Sequence, residues 1–252
     1  MGTIGFALLL SALAGLSTTI GSLLGIAVRK PGPQFMTLTL GFSAGVMIHV
    51  SFVELLQGGV ASAGFMPAHV AFFIGMSVMF AVDVLIPHDY LGQEEHSGAG
   101  MESSSLLRTG LFVALGIAIH NFPEGMASFA GALEDRSLGI AIAVAVAIHN
   151  VPEGLAVAAP IYAATGSRKR AFLYSFLSGV AEPVGAGIAA LVLLPFLSEA
   201  ILGYVLAGVG GIMVFISLDE LIPVARSFGH EHLAIVGAMS GMGVMAMSLW
   251  LL

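Results

Sequence analysis

The chain has 252 residues, 58% of them hydrophobic and 9% charged, with a net charge of −7 and no cysteine. Soluble domains carry about 25% charged residues, so this composition excludes an ordinary soluble fold and points to an all-α membrane protein. The acidic balance speaks against nucleic acid as a partner, and the lack of cysteine excludes disulfides and thiolate metal sites.

A spanning helix needs about 20 mostly apolar residues. Eight such stretches follow one another along the chain: 3–28, 34–56, 68–87, 106–131, 138–164, 169–194, 199–222 and 231–252. Runs this long do not fit the alternating strands of a membrane barrel. Backbone in lipid must satisfy its own hydrogen bonds, which favours helix. The expectation is one transmembrane domain over 1–252 that leaves no room for a soluble one. The first stretch has no basic segment ahead of it and is not read as a secretory signal. With the N-terminus outside, Arg29, Lys30, Arg108, Arg168, Lys169, Arg170 and Arg226 fall in cytoplasmic loops, and Arg136 alone falls outside. The positive-inside rule then predicts both termini outside, in the cytoplasmic (inner) membrane.

Span 2 reads GVMIHVSFVELLQ from Gly45, and span 7 reads GIMVFISLDELIP from Gly211. Gly45/Gly211, Met47/Met213, Ser51/Ser217, Glu54/Glu220 and Leu55/Leu221 match. Span 4 holds HNFPEG (His120–Gly125) and span 5 holds HNVPEG (His149–Gly154). Both pairings join spans of opposite direction. They predict an inverted repeat that relates spans 1–3 to 6–8 and span 4 to span 5, with helices broken near mid-membrane, a transporter signature.

The paired hexapeptides carry the chemistry. Residues i and i+4 share a helix face, so His120 is expected over Glu124 and His149 over Glu153. Asn121 and Asn150 sit about 100° further round, placed for a second adjacent centre. Pro123 and Pro152 free the carbonyls of Ile119 and Ile148 and are expected to bend their helices. Glu182 in span 6 adds a third carboxylate at the same depth. Three uncompensated carboxylates would cost about 8–10 kcal/mol in the bilayer, and no Lys or Arg lies at that depth. One divalent ion brings the three to −1 and two bring them to +1. Imidazole and oxygen without sulfur suit Zn²⁺, Fe²⁺, Mn²⁺, Co²⁺ or Cd²⁺. The ion is cargo; no prosthetic group is called for.

HNFPEG, HNVPEG, SGVAEPVGA in span 6 and SLDELIP in span 7 resemble the ZIP (Zrt/Irt-like) family of divalent-metal transporters, most of all its bacterial branch. The resemblance covers essentially the whole chain. It implies eight helices, a homodimer and a binuclear site between spans 4, 5 and 6. One metal would use His120, Glu124, His149 and Glu153. The second would use Asn121, Asn150 and Glu182 with Glu124 and Glu153 shared. Asn150 stands where some relatives have Asp, which leaves the second site less negative. The resemblance also implies uptake toward the cytoplasm, with spans 1, 4, 5 and 6 sliding as a metal-carrying bundle against a scaffold of 2, 3, 7 and 8.

Glu54 toward the end of span 2 is read as lining the outer approach, and Asp83, His88, Asp219 and Glu220 as lining the way out. A role at the lipid headgroups stands beside that reading. Gln93–His96 and His230–His232 are read first as solvated loop. The glycine pairs Gly21/Gly25, Gly41/Gly45 and Gly237/Gly241 are read as helix packing. His120 and His149 ligate only when neutral, so metal affinity is expected to weaken below about pH 6. Alternating access is the preferred mechanism, and a metal-selective channel using the same ligands is the alternative. An intramembrane enzyme is set aside, because no HExxH helix or separate nucleophile is present.

Overall fold

The computed structural model describes residues 2–28, 32–85, 103–134, 136–193 and 198–251. Among them the long elements are all helices: α1 (Thr3–Ala27), α2 (Pro33–Ala63), α3 (Phe65–Leu85), α4 (Ser103–Glu134), α5 (Arg136–Thr165), α6 (Arg168–Ile188, continued by a π turn at Ala189–Leu193), α7 (Glu199–Ser227) and α8 (Glu231–Leu251). Seven of these are long and apolar enough to cross a membrane; α4, which carries His120, Asn121 and Glu124, is not in that set.

The first helix is inside-out relative to one in a soluble bundle. On α1, Leu9, Leu13, Leu16, Ile20 and Leu23 are exposed, while Ala7, Ser11, Ala14, Gly15, Thr18 and Ser22 face the interior. Lipid tails are as apolar as leucine, so the bundle gains little from burying leucine and much from close backbone packing and satisfied polar groups. Gly41 and Gly45 of α2 lie against the carbonyls of Ala234 and Ala238, and Gly237 and Gly241 of α8 lie against those of Leu38 and Phe42. These pairs build a seam within the chain.

The helices pack as two sets. α1, α4, α5 and α6 contact one another extensively; in the other set α7 packs on α2 and α3, and α8 packs chiefly on α2. The sets meet chiefly where α2 crosses α5 and α4 crosses α7. At the first crossing, the Ser43 hydroxyl of α2 donates to the Pro152 carbonyl of α5 at 2.7 Å.

Three expectations change. α2 does not end near 56 but runs on to Ala63, and α7 runs on to Ser227. Gly58 and Gly59 look like breakers, yet a Cβ on Gly59 would stand 2.8 Å from the Gly203 carbonyl. Close approach by α7 accounts for that glycine, and the chain turns only at Gly64, whose φ of 88° favours glycine. Second, α4 and α5 continue as helix through Pro123 and Pro152. Besides the π turn that continues α6, the irregular backbone lies in α2 and α7, as π turns at Ser51–Leu55 and Ser217–Leu221. Each opens with a serine hydroxyl donating to the carbonyl four residues back, Met47 at 2.6 Å and Met213 at 2.8 Å. A π turn admits an extra residue into a helix and is frequent at functional positions. The third change is in the pairing of His and Glu, taken up next.

Candidate metal site

The two hexapeptides face each other across α4 and α5. Their His–Glu pairs form between the helices and not within them: His120 Nε2 donates to Glu153 Oε1 at 2.9 Å, and His149 Nε2 donates to Glu124 Oε1 at 2.7 Å. The i, i+4 spacing does put each His and Glu on one face. The facing helix presents its own carboxylate to that ring, and the exchange ties α4 to α5 twice. Asn150 Nδ2 donates to Glu182 Oε2 at 2.8 Å and to the Ala14 carbonyl of α1 at 3.0 Å. Asn121 Nδ2 donates to the Ser178 carbonyl of α6 at 3.2 Å. The structure therefore brings His120, Asn121, Glu124, His149, Asn150, Glu153 and Glu182 into one linked set, each no more than 2% exposed.

Every one of these side chains keeps one polar atom without a hydrogen-bond partner: His120 Nδ1, Asn121 Oδ1, Glu124 Oε2, His149 Nδ1, Asn150 Oδ1, Glu153 Oε2 and Glu182 Oε1. In the neutral ring, with Nε2–H donating, each Nδ1 carries a lone pair. All seven are then acceptors. An unmet buried polar atom costs about 1–3 kcal/mol, more when charged. Among the residues whose burial is described, no Lys or Arg is buried to meet them. The donor set is imidazole, amide and carboxylate, which suits a transition-metal dication. Two ligands about 2.1 Å from one ion at right angles stand about 3 Å apart. The His–Glu pairs already have that spacing.

A cavity of about 300 Å³ reaches this set between the two groups of helices, lined by Glu54, Glu124, Ser128, His149 and otherwise mostly apolar side chains. Glu54 sits in the π turn of α2, well before the helix ends, and shares the cavity with Glu124 and His149. Glu54 and Ser128 each leave a buried oxygen unpartnered. Ser128 was legible in principle, because it lies four residues after Glu124 on the same face. The carbonyls of Ala14 and Ser178 carry no signal in the sequence. At another place, Asp83 of α3 and Asp219 and Glu220 of α7 bring one carboxylate oxygen each within 4.8 Å of the others. Asp83 and Glu220 are buried and Asp219 is exposed. His88 and Gln93–His96 lie outside the described residues.

A helical membrane bundle around a buried, acceptor-only site defines a cation transporter. The sequence matches the family described as ZIP zinc transporter over residues 86–249. It is 54% identical to zinc transporter ZupT of Chlorobium phaeovibrioides, covering 98% of this chain and 97% of that protein. It is 46% identical to zinc transporter ZupT of Clostridium perfringens (100% and 97% covered). It is 48% identical to that of Streptococcus mutans (97% and 97%). The chain belongs to the ZIP zinc transporter family. It is a multi-pass membrane transporter of divalent metal ions and not an enzyme.

Proposed function

We propose that this chain takes up divalent transition-metal ions, zinc foremost, with iron, manganese, cobalt and cadmium as further cargoes, into the cytoplasm by alternating access through a binuclear site. The observation that carries this reading is the set of seven unpartnered buried acceptors. In the first position the ion lies between His120, Glu124, His149 and Glu153, replacing the hydrogen shared by each His–Glu pair. In the second it takes Asn121, Asn150 and Glu182, with Glu124 and Glu153 bridging. All eight helices span the membrane as an inverted repeat in a homodimer, with both termini outside. The set α1, α4, α5, α6 carries the metal past the scaffold α2, α3, α7, α8, and the thin contact between the sets supports that division.

Glu54 draws the ion into the cavity that it shares with Glu124 and His149. Asp83, Asp219 and Glu220 receive it on release; their closeness supports this role. The test is uptake of Zn²⁺, Fe²⁺, Mn²⁺ and Cd²⁺ into proteoliposomes, with and without a pH gradient, for wild type and Glu124→Ala. Saturable wild-type uptake at low turnover, abolished in the variant, is expected. Flux that does not saturate would favour the channel. Uptake undiminished in Glu124→Ala would remove the site from the pathway.

A further inference from the structure

Contacts around the site come in matched pairs. Asn121 Nδ2 donates to the Ser178 carbonyl, and Asn150 Nδ2 donates to the Ala14 carbonyl. A Cβ on Gly125 would strike the Glu182 carbonyl, and one on Gly154 would strike that of Thr18. A Cβ on Gly185 would strike the Phe122 carbonyl, and one on Gly21 that of Val151. Gly15 and Gly179 face each other's carbonyls, at 2.6 and 2.5 Å from the Cβ each lacks. Exchanging α4 with α5 and α6 with α1 turns every contact into its partner. Ser178 then corresponds to Ala14, Gly179 to Gly15, Glu182 to Thr18 and Gly185 to Gly21, at a constant offset along the chain.

Thr18 thus occupies the place of Glu182 in the other half. Both are fully buried. Glu182 Oε2 is held by Asn150, whereas the Thr18 hydroxyl and Asn121 Oδ1 have no partner. A helical Ser or Thr hydroxyl commonly bonds a carbonyl three or four residues back, as Thr19 and Thr165 do here. Thr18 does not. It and Asn121 both stand against the Ser178–Gly179 stretch of α6. The halves have similar room, since Gly15 backs the Glu182 Cβ (3.2 Å) and Gly179 backs the Thr18 Cβ (3.0 Å).

We propose that the Thr18 hydroxyl forms a neutral half-site that holds a water molecule beside the first metal position, and that Thr18 confines the second ion to the Glu182 side. This rests on the metal-site reading above. The physical reason is charge. Three carboxylates with two divalent ions leave +1, so the second ion is held loosely and can leave. A fourth carboxylate at position 18 would neutralise both ions and slow release. Thr18 is therefore a specificity-determining residue for ion number.

The experiment is Zn²⁺ titration calorimetry on purified protein in detergent, with uptake measured in parallel. Wild type and Glu124→Ala check the metal site itself; if wild type binds no Zn²⁺, the metal-site reading fails and this inference falls with it. With that site established, Glu182→Gln should lose one equivalent, and Glu182→Gln/Thr18→Glu should regain it. Thr18→Glu alone should bind Zn²⁺ more tightly and transport it more slowly. A double variant that retains the first ion without regaining the second overturns the proposal. Thr18→Val keeps the volume and removes the hydroxyl, so it covers the case in which the glutamate variants do not fold. It should weaken the first ion about tenfold through the lost water, with Thr18→Ser restoring it. Unchanged affinity in Thr18→Val overturns the water-holding role.

Discussion

Glu153 meets His120 and Glu124 meets His149, each across the gap between two helices. A metal ion that enters between ring and carboxylate must displace the hydrogen they share. A neutral ring keeps that hydrogen by moving it to Nδ1, whereas a doubly protonated ring must lose one, so as the pH falls affinity should weaken and binding should release on the order of one to two protons per ion. Calorimetry at acid pH in buffers of different ionisation enthalpy reads this directly; an observed enthalpy independent of buffer there would contradict the replacement of hydrogen by metal. Glu54 is a separate case. Its carboxylate opens onto the same cavity as Glu124, and the role proposed for it is to concentrate cations there. Glu54→Ala should lower initial uptake about tenfold, the low end of what charge focusing contributes, and leave the number of bound ions unchanged. Wild-type uptake kinetics in that variant would end the idea.

Helices in this bundle are placed by what they lack as much as by what they carry. Gly154 follows Glu153 and lies against the Thr18 carbonyl of α1. Gly125 follows Glu124 and lies against the Glu182 carbonyl of α6. A methyl group at either position meets rigid backbone, so the helices must separate and the site must widen. Gly154→Ala should destabilise the protein by about 1–3 kcal/mol. It should also weaken zinc binding more than an alanine at half-buried Gly187, where a Cβ meets nothing within 4 Å. Thermal melts in detergent with and without Zn²⁺ compare the two. The π turns act on the other set. Each places an acid, Glu54 in α2 and Glu220 in α7, within a helix that continues beyond it. Regular α-helix would rotate those acids away from their present faces.

The molecule as a whole buries small and polar residues alongside its apolar core and leaves many leucine, isoleucine and phenylalanine side chains exposed. Its orientation can be read cleanly, because the natural chain contains no cysteine. A single cysteine at Gly2 should react with a membrane-impermeant maleimide from outside intact cells. One at exposed His232, in the α7–α8 region, should react only after permeabilisation. The opposite pattern would invert the proposed topology and, with it, the direction assigned to Glu54 and to Asp83, Asp219 and Glu220.

Much of this was present in the chain before any coordinates. Apolar runs of spanning length are a one-dimensional property, because lipid thickness sets their length and the backbone's need for internal hydrogen bonds sets their form. The hexapeptides HNFPEG and HNVPEG showed which residues gather, since spacing along one helix decides what shares a face. Partner choice was not legible. Whether His120 takes Glu124 or Glu153 depends on the distance and rotation between two helices, each seated on a further neighbour by its backbone contact, α4 on α6 at Gly125 and α5 on α1 at Gly154. The true ends of α2 and α7 were hidden because Gly58–Gly59 reads locally as a break and only the packed α7 shows its use. The correspondence of Thr18 with Glu182 lay furthest from view, since a hydroxyl and a carboxylate share no letter and only the repeated contact pattern aligns them. Local chemistry and hydrophobic length determined what this chain is made to hold; packing between helices decided which atoms hold it.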